Sequence, residues 1–128
     1  MTSKIVKINE ILNKKGCSLT FGHFDTIHPG HIRYLKYAKS INKFLIVAII
    51  GDSEKNNFPR FQFNQNERSE ALAMLDLADF ILKLEEDELS HVVEKLKPNA
   101  LVLGKEKELK INIDTEIKKA IDLQKNLG

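Results

Sequence analysis

Apolar residues along the chain fall into short runs separated by polar segments, and the spacing within each run predicts its secondary structure. The clearest run, Lys43–Gly51, is apolar at every position from Phe44 to Ile50. Such continuity is typical of a strand that is covered on both faces of a parallel sheet. Shorter apolar runs predict three more strands, at Cys17–Gly22, Asp79–Leu84 and Asn99–Gly104.

Apolar positions three or four residues apart predict helices between these strands. A first helix is predicted from Ile5 to Leu12, with Gly16 as its stop signal. Asn64 is a suitable N-cap for a helix over Gln65–Leu77. The remaining segments are predicted as helices at about Gly30–Ser40, Asp87–Leu96 and Asp114–Leu127, and as a long polar loop at Asp52–Asn64.

Helices and strands alternate strictly through the 128 residues. This alternation predicts an α/β fold, a Rossmann-like parallel sheet flanked by helices on both faces. A helix at the end of the chain would lead naturally to another strand. We therefore expect that the sheet lacks its last strand through truncation, and that residues 1–128 are one domain of a longer chain. Small-molecule sites in such folds lie beyond the carboxyl ends of the strands.

Composition narrows the classes of partner. The 42% apolar share supports one core, and 20 Lys and Arg against 18 Asp and Glu leave a net charge of only +2. The basic residues are dispersed rather than gathered on one face, so no nucleic-acid partner is expected. No apolar run approaches the length of a membrane span. The single cysteine, Cys17, excludes an internal disulfide and favours a cytoplasmic location.

Three of the four histidines lie in one stretch, FGHFDTIHPGHIRYLKYAK, which follows the first predicted strand. This stretch forms the turn at the carboxyl end of that strand, and Pro29-Gly30 opens the next helix. A helix N-terminus offers unpaired N–H groups and a positive dipole end to an anion such as phosphate. Gly22 and Gly30 allow the backbone to approach that anion closely.

His28 and His31 are three residues apart, so both rings can face one point if the helix begins near His28. Two imidazoles can donate N–H bonds to a phosphorus centre whose charge rises during displacement, without any protein nucleophile. Two alternatives stay open. The pair could be histidines with no chemical role, or His23, His28 and His31 could bind a catalytic zinc ion with water as the fourth ligand. A Gly-rich turn at a helix start favours the oxyanion.

The stretch GHFDTIHPGHIRYLKYAK resembles the signature of the nucleotidyltransferase superfamily that carries the His-x-Gly-His motif. Within it, the chain is most similar to the cytidylyltransferase-like group, which includes glycerol-3-phosphate cytidylyltransferase and the adenylyltransferase domain of the bifunctional heptose enzyme. The later segments FLIVAIIGD, FPRFQFNQNERSEAL, DFILKLEED and KPNALVLGKEKE also resemble this group. The resemblance covers the chain from about residue 10 to Gly128.

The resemblance implies a reaction. A nucleotidyl group would pass from a nucleoside triphosphate, ATP or CTP, to a sugar phosphate or alcohol phosphate, with release of pyrophosphate and with Mg²⁺ as cofactor. The heptose-like similarity favours ATP and a sugar 1-phosphate. The expected partners are therefore a nucleoside triphosphate and a phosphorylated small molecule, with no membrane. Because members of the group are often dimers, a homodimer is also suggested.

The resemblance also implies which residues act. His28 and His31 would stabilise the pentacoordinate α-phosphorus, Asp25 would brace the turn, and strand 4 would lie beside strand 1. The implied catalytic residues are His28, His31, Lys55 and Lys105. The implied nucleotide- and phosphate-binding residues are Gly22, His23, Phe24, Asp25, Gly30, Arg60, Arg68 and Gly104.

Two features depart from the family pattern. Position 23 is His where the family usually has a smaller residue such as Thr or Cys, and the Ser/Thr-rich signature that follows a fifth strand is missing. Both departures favour an alternative from another class, a non-catalytic nucleotide-binding or regulatory module. The intact His-Pro-Gly-His sequence favours the enzyme.

Overall fold

A computed structural model of the chain describes residues 4–25, 27–51, 63–85 and 87–102. Within these ranges four strands alternate with three helices, and every strand pair is parallel. The α/β prediction is therefore confirmed, whereas the predicted helix over Asp114–Leu127 lies outside the described residues. The elements are β1 (Cys17–Gly22), α1 (Pro29–Ser40), β2 (Phe44–Ile50), α2 (Gln65–Met74), β3 (Phe80–Leu84), α3 (Leu89–Leu96) and β4 (Ala100–Leu101).

The strands lie in the order β3-β2-β1-β4. The chain moves outward from β1 through β2 to β3, and then returns to the opposite side of β1 to form β4. Ser18 of β1 thus pairs with Leu45 of β2 on one side and with Ala100 of β4 on the other. This reversal of strand order lies between β1 and β4, and ligands of open parallel sheets bind beyond the strand ends at such a point.

Two apolar clusters cover the two faces of the sheet. One contains α3, the other contains α1 and α2, and successive residues of β2 alternate between them. Every residue from Leu45 to Ile50 is fully buried as a result. The continuous apolar run seen in the sequence is explained by this double cover. The connections through α1 and α2 run in one direction along the sheet, and the connection through α3 runs back. Because such connections are right-handed, α1 and α2 lie on one face and α3 lies on the other.

The helix predicted over Ile5–Leu12 is wrong, because Lys4–Val6 is extended along the outer edge of β3 and the residues that follow form only short turns. The Val6 N–H donates to the Ile81 carbonyl at 2.9 Å, and the Ile81 N–H donates to the Lys4 carbonyl at 2.8 Å. Ile5 packs against the cluster on the α1 side, whereas Val6 packs against the cluster on the α3 side. This alternation is that of a strand, and the helical part is one 3₁₀ turn, Ile8–Glu10.

Lys4 fixes the start of this segment. Its ammonium donates to the Asp76 carboxylate and, at 3.0 Å, to the Ala78 carbonyl. The hydrogen bond and charge of Lys4 hold the pKa of the exposed Asp76 carboxyl below its ordinary value. Asp76 has a left-handed backbone, φ +56°, which explains why α2 ends at Met74 and not at the predicted Leu77.

The helices within the described part of the chain are too short and too polar to span a bilayer.

Candidate active site

Two histidines form the cap of α1. His28 is the N-cap residue, and its Nδ1 accepts the Gly30 N–H at 3.0 Å. In return, Nδ1 of His31 accepts the His28 N–H at 3.1 Å. This reciprocal pattern is a capping box in which imidazoles replace the usual hydroxyl and carboxylate. The cap therefore determines where both rings lie.

The two rings lie side by side at the carboxyl end of β1. Their centroids are 4.0 Å apart and their planes are inclined by 42°. His28 is exposed, whereas His31 is only 3% exposed. Because each Nδ1 accepts a backbone N–H, the neutral rings carry their protons on Nε2. Two imidazoles thus lie next to the N-terminus of a helix, a combination suited to an oxyanion.

Phe24 supports this pair from the preceding turn. Its φ of +52° is in the left-handed region, which costs a non-glycine residue roughly 1–2 kcal/mol. The ring is 3% exposed, and its centroid lies 5.3 Å from that of His31. A Cβ at Gly22 would lie 3.0 Å from Phe24 Cε2, so the glycine provides space for the ring. The strained turn therefore places an aromatic side chain directly against His31.

Arg68, in the first turn of α2, is 1% exposed and bonds to backbone carbonyls of three segments. Nη1 donates to the carbonyl of His23 at 2.6 Å and to that of Ile50 at 2.9 Å. Nε donates to the carbonyl of Phe63 at 3.0 Å. The guanidinium thereby joins the turn after β1, the last residue of β2 and the residues that enter α2.

Further side chains tie the entry of α2 to the strand ends. The Asp25 carboxylate accepts the Phe63 N–H at 3.1 Å, so the acid braces the turn against this segment. The Gln65 amide donates to the carbonyls of Ile49 at 2.8 Å and Leu84 at 2.9 Å. Ile49 is the last residue but one of β2 and Leu84 is the last residue of β3, so the amide bonds to both strands near the end of their ladder.

On the other side of β1, Tyr34 holds the end of β4. Its hydroxyl donates to the Val102 carbonyl at 2.5 Å, while the Val102 N–H donates to the Leu19 carbonyl at 2.9 Å. Sequence reasoning missed both Tyr34 and Gln65. A signal was available for each: Tyr34 lies one helical turn after His31, and Gln65 directly follows the predicted N-cap of α2.

The structure brings the described site residues together at the carboxyl end of β1. Arg68 was expected on the nucleotide side, and three of its bonds to described residues are to backbone carbonyls, so its contact with a phosphate stays a prediction. The phosphate contacts expected of the turn also stay predictions. Four further predicted residues lie outside the described part of the chain: Lys55, Arg60, Gly104 and Lys105.

The zinc alternative finds no support in this geometry. Among the residues that the structure describes, no group of three or more His, Cys, Asp or Glu side chains is placed to hold a metal ion, and His23, His28 and His31 are among those residues. Nδ1 of both His28 and His31 already accepts a backbone N–H.

The parallel sheet and the His-Pro-Gly-His helix start together define a Rossmann-like nucleotidyltransferase domain. The chain belongs to the cytidylyltransferase-like family, whose family model matches residues 19–126.

Individual relatives agree with this family. Bifunctional protein HldE of Campylobacter fetus subsp. fetus (strain 82-40) is 35% identical over 108 residues, which are 79% of this chain and 24% of that protein. FAD synthase of Ferroglobus placidus (strain DSM 10642 / AEDII12DO) is 30% identical over 83 residues, 65% of this chain and 55% of that protein. The chain spans about a quarter of the length of such HldE relatives.

A solved structure shares the fold. It is the crystal structure of the lipopolysaccharide core biosynthesis protein from Thermoplasma volcanium GSS1, with a TM-score of 0.67 and 28% sequence identity. The match covers 83% of this chain and 86% of that one.

Proposed function

We propose that this domain transfers a nucleotidyl group from a nucleoside triphosphate to a phosphorylated small molecule. An oxygen of the acceptor phosphate attacks the α-phosphorus and forms a new P–O bond. The bond between the α-phosphorus and the bridging oxygen of the β-phosphate breaks, and pyrophosphate leaves with the electron pair. The observation that carries the proposal is the pair of imidazoles, 4.0 Å apart, at the N-terminus of α1.

The two imidazoles stabilise negative charge and do not serve as general bases. The acceptor phosphate is largely ionised at neutral pH, since its second pKa is about 6, so no group has to remove a proton from it. Negative charge grows on the oxygens of the α-phosphorus as the acceptor approaches. The Nε2–H groups of His28 and His31 donate to these oxygens, and the N-terminus of α1 adds its positive end. Both rings are held by backbone bonds before substrate arrives, so they need no rearrangement.

We propose that Mg²⁺ enters with the triphosphate. Phosphate oxygens and water supply most ligands of Mg²⁺ in nucleotide-using enzymes, with few protein carboxylates. The part of the chain that the structure describes holds no cluster of three or more ligating side chains. This is compatible with an ion that is bound chiefly by the substrate, where it would neutralise phosphate charge.

The relatives suggest candidate substrates. The similarity to HldE proteins favours ATP with a sugar 1-phosphate, and the similarity to an FAD synthase adds flavin mononucleotide, whose adenylylation gives FAD. CTP with an alcohol phosphate is the remaining pair within the family.

Pyrophosphate release by the full-length natural protein tests the proposal, with ATP and CTP each offered against these three acceptor classes. We expect one pair to react, and His28→Ala or His31→Ala to lower kcat by about 10²–10³-fold, as loss of an oxyanion donor does. His91→Ala, an exposed histidine of α3, is the matched control and should keep wild-type kcat. Wild-type turnover in the double variant would contradict the proposal. Nucleotide binding without pyrophosphate release from any pair would favour the non-catalytic module.

A further inference from the structure

We propose that Arg68 is a positioning residue that sets the location of the two imidazoles without contacting substrate. Its catalytic consequence rests on the proposed nucleotidyl transfer, whereas its effect on the rings does not. The inference depends on a continuous chain of contacts from the Arg68 guanidinium to His31 and His28.

The first link is the guanidinium itself. Nη1 bridges the carbonyls of His23 and Ile50, at 2.6 and 2.9 Å, and Nε bonds to that of Phe63, at 3.0 Å. A guanidinium is planar and its donors have fixed directions, so three bonds from one group fix the relative positions of three backbone segments. Arg68 is 1% exposed, and a buried charge is retained only where its donors are satisfied.

The second link runs from His23 to the rings. Phe24 follows His23 directly, with its backbone at φ +52°. Such a conformation persists only where the surroundings determine it, and the Arg68 bond holds the carbonyl on its amino side. The Phe24 ring in turn lies 5.3 Å from the His31 ring, and Nδ1 of His31 holds the His28 N–H.

A third contact closes the connection. The Asp25 carboxylate accepts the Phe63 N–H, and the Phe63 carbonyl accepts from Arg68 Nε. The turn is therefore attached to the entry of α2 on both sides of Phe24. A shift of the guanidinium would move the turn that carries Phe24, and with it the support of His31.

The test compares Arg68→Lys with Val93→Ala in the full-length natural protein. Lysine keeps the charge, but its three N–H donors radiate from one nitrogen and cannot match bonds that leave two guanidinium nitrogens in fixed directions. Val93 is fully buried in the cluster on the opposite face of the sheet, so its truncation lowers stability without touching the turn. We expect Arg68→Lys to lower kcat by about 10- to 100-fold, as a small misplacement of catalytic groups does, with little change in KM for the triphosphate. Val93→Ala should keep wild-type kcat at a temperature where both variants are folded.

The separate effects on kcat and KM distinguish a positioning role of Arg68 from a phosphate-binding role. If Arg68 bound nucleotide phosphate, Arg68→Lys would raise KM while leaving kcat near wild type, and the positioning role would be overturned. Equal kcat values in Arg68→Lys and Val93→Ala would overturn it as well.

A second measurement is independent of turnover. Long-range ¹H–¹⁵N NMR spectra report which ring nitrogen of each histidine carries the proton. We expect the wild type and Val93→Ala to show Nε2–H in His28 and His31, and Arg68→Lys to show averaged signals for His31. Unchanged ring signals in Arg68→Lys would overturn the proposal even if no substrate pair were found. Altered ring signals in a protein that releases no pyrophosphate would support it while contradicting the proposed function.

Phe24→Leu covers the case in which Arg68→Lys does not fold. Leucine preserves apolar bulk but removes the flat ring that faces His31, and Arg68 stays in place. We expect the same loss of kcat and the same averaging of the His31 signals. Wild-type kcat and ring signals in Phe24→Leu would overturn the chain of contacts on which the proposal depends.

Discussion

Gly30 gives the His28 ring the space that it occupies. A Cβ at this position would lie 2.7 Å from His28 Cε1 and 3.0 Å from Nδ1. We predict that Gly30→Ala turns the ring away, because the ring can move and the helix backbone cannot. Turning the ring away loses the cap bond from the Gly30 N–H, which costs about 0.5–2 kcal/mol. The preference of helices for alanine over glycine, up to ~1 kcal/mol, offsets most of this, so stability should change little. In contrast, kcat should fall about 10- to 100-fold through misplacement.

Steady-state kinetics together with urea unfolding would check this prediction. Lys36→Ala, an exposed position on α1, is the control and should leave both quantities unchanged. A Gly30→Ala protein with wild-type kcat would show that the His28 ring does not need its observed position.

Individual residues of the site also show which features the sequence predicts and which it does not. The three-residue spacing of His28 and His31 predicts that the rings meet, and they do. Their tautomers and the burial of His31 could not be read from spacing, because both depend on how the backbone enters α1. Nothing in a Phe predicts a left-handed φ, and the Phe24 turn is understood only from its contacts with Gly22 and His31.

At the scale of elements, the entry of α2 serves as a cap on the sheet. The Gln65 amide donates to carbonyls near the ends of two neighbouring strands, at Ile49 and Leu84. We predict that Gln65→Glu, which has the same shape but lacks the amide donors, lowers the free energy of unfolding by about 1–3 kcal/mol. The Ile49 carbonyl loses this donor, and the Leu84 carbonyl keeps the Gly51 N–H, at 2.7 Å, while both face a carboxylate.

Urea unfolding at neutral pH measures this loss. Glu70→Gln is the matched control, since it makes the reverse exchange at an exposed site of the same helix and should change stability by less than ~0.5 kcal/mol. Equal stability of Gln65→Glu and the wild type would contradict this role of the Gln65 amide.

Helices and strands differ in how well the sequence predicts them. The bounds of β1, Cys17–Gly22, agree with the prediction, because the run is short, as strands are, and Gly16 and Gly22 mark its two ends. The segment at Ile5–Val6 was misread because isoleucine and valine at neighbouring positions fit a helical stripe as well as alternation. Their β-branched side chains favour the strand, and the edge of β3 supplies the backbone partners.

At the scale of the whole molecule, alternation predicts the parallel sheet but not the order of its strands. The position of β4 beside β1 was expected from family resemblance alone, and the structure confirms it. Local propensity does not predict the strand order, since a crossover can lead to either side of the sheet. The order bears on the site, because ligands of open parallel sheets bind where the strand order reverses, and β1, which carries the turn to His28 and His31, lies at that point.

The assembled crevice should bind nucleotide as a folded unit. We predict that a triphosphate with Mg²⁺ raises the melting temperature, because a ligand that binds only the folded state adds about 2.7 kcal/mol at 100 times its Kd. A thermal-shift screen of ATP, CTP, GTP and UTP would identify the base. His28→Ala should reduce the shift only modestly if its ring acts mainly in the transition state. No shift with any triphosphate would contradict nucleotide binding.

We expect the extended segment at Lys4–Val6 to limit aggregation of the protein. It occupies backbone groups of Ile81 on the outer edge of β3, and an open edge of this kind is a template on which a second copy of the chain can add a strand. Deleting the chain through Val6 would expose this edge of β3. Light scattering at rising protein concentration should then reveal fibrous or amorphous aggregates that the undeleted protein does not form.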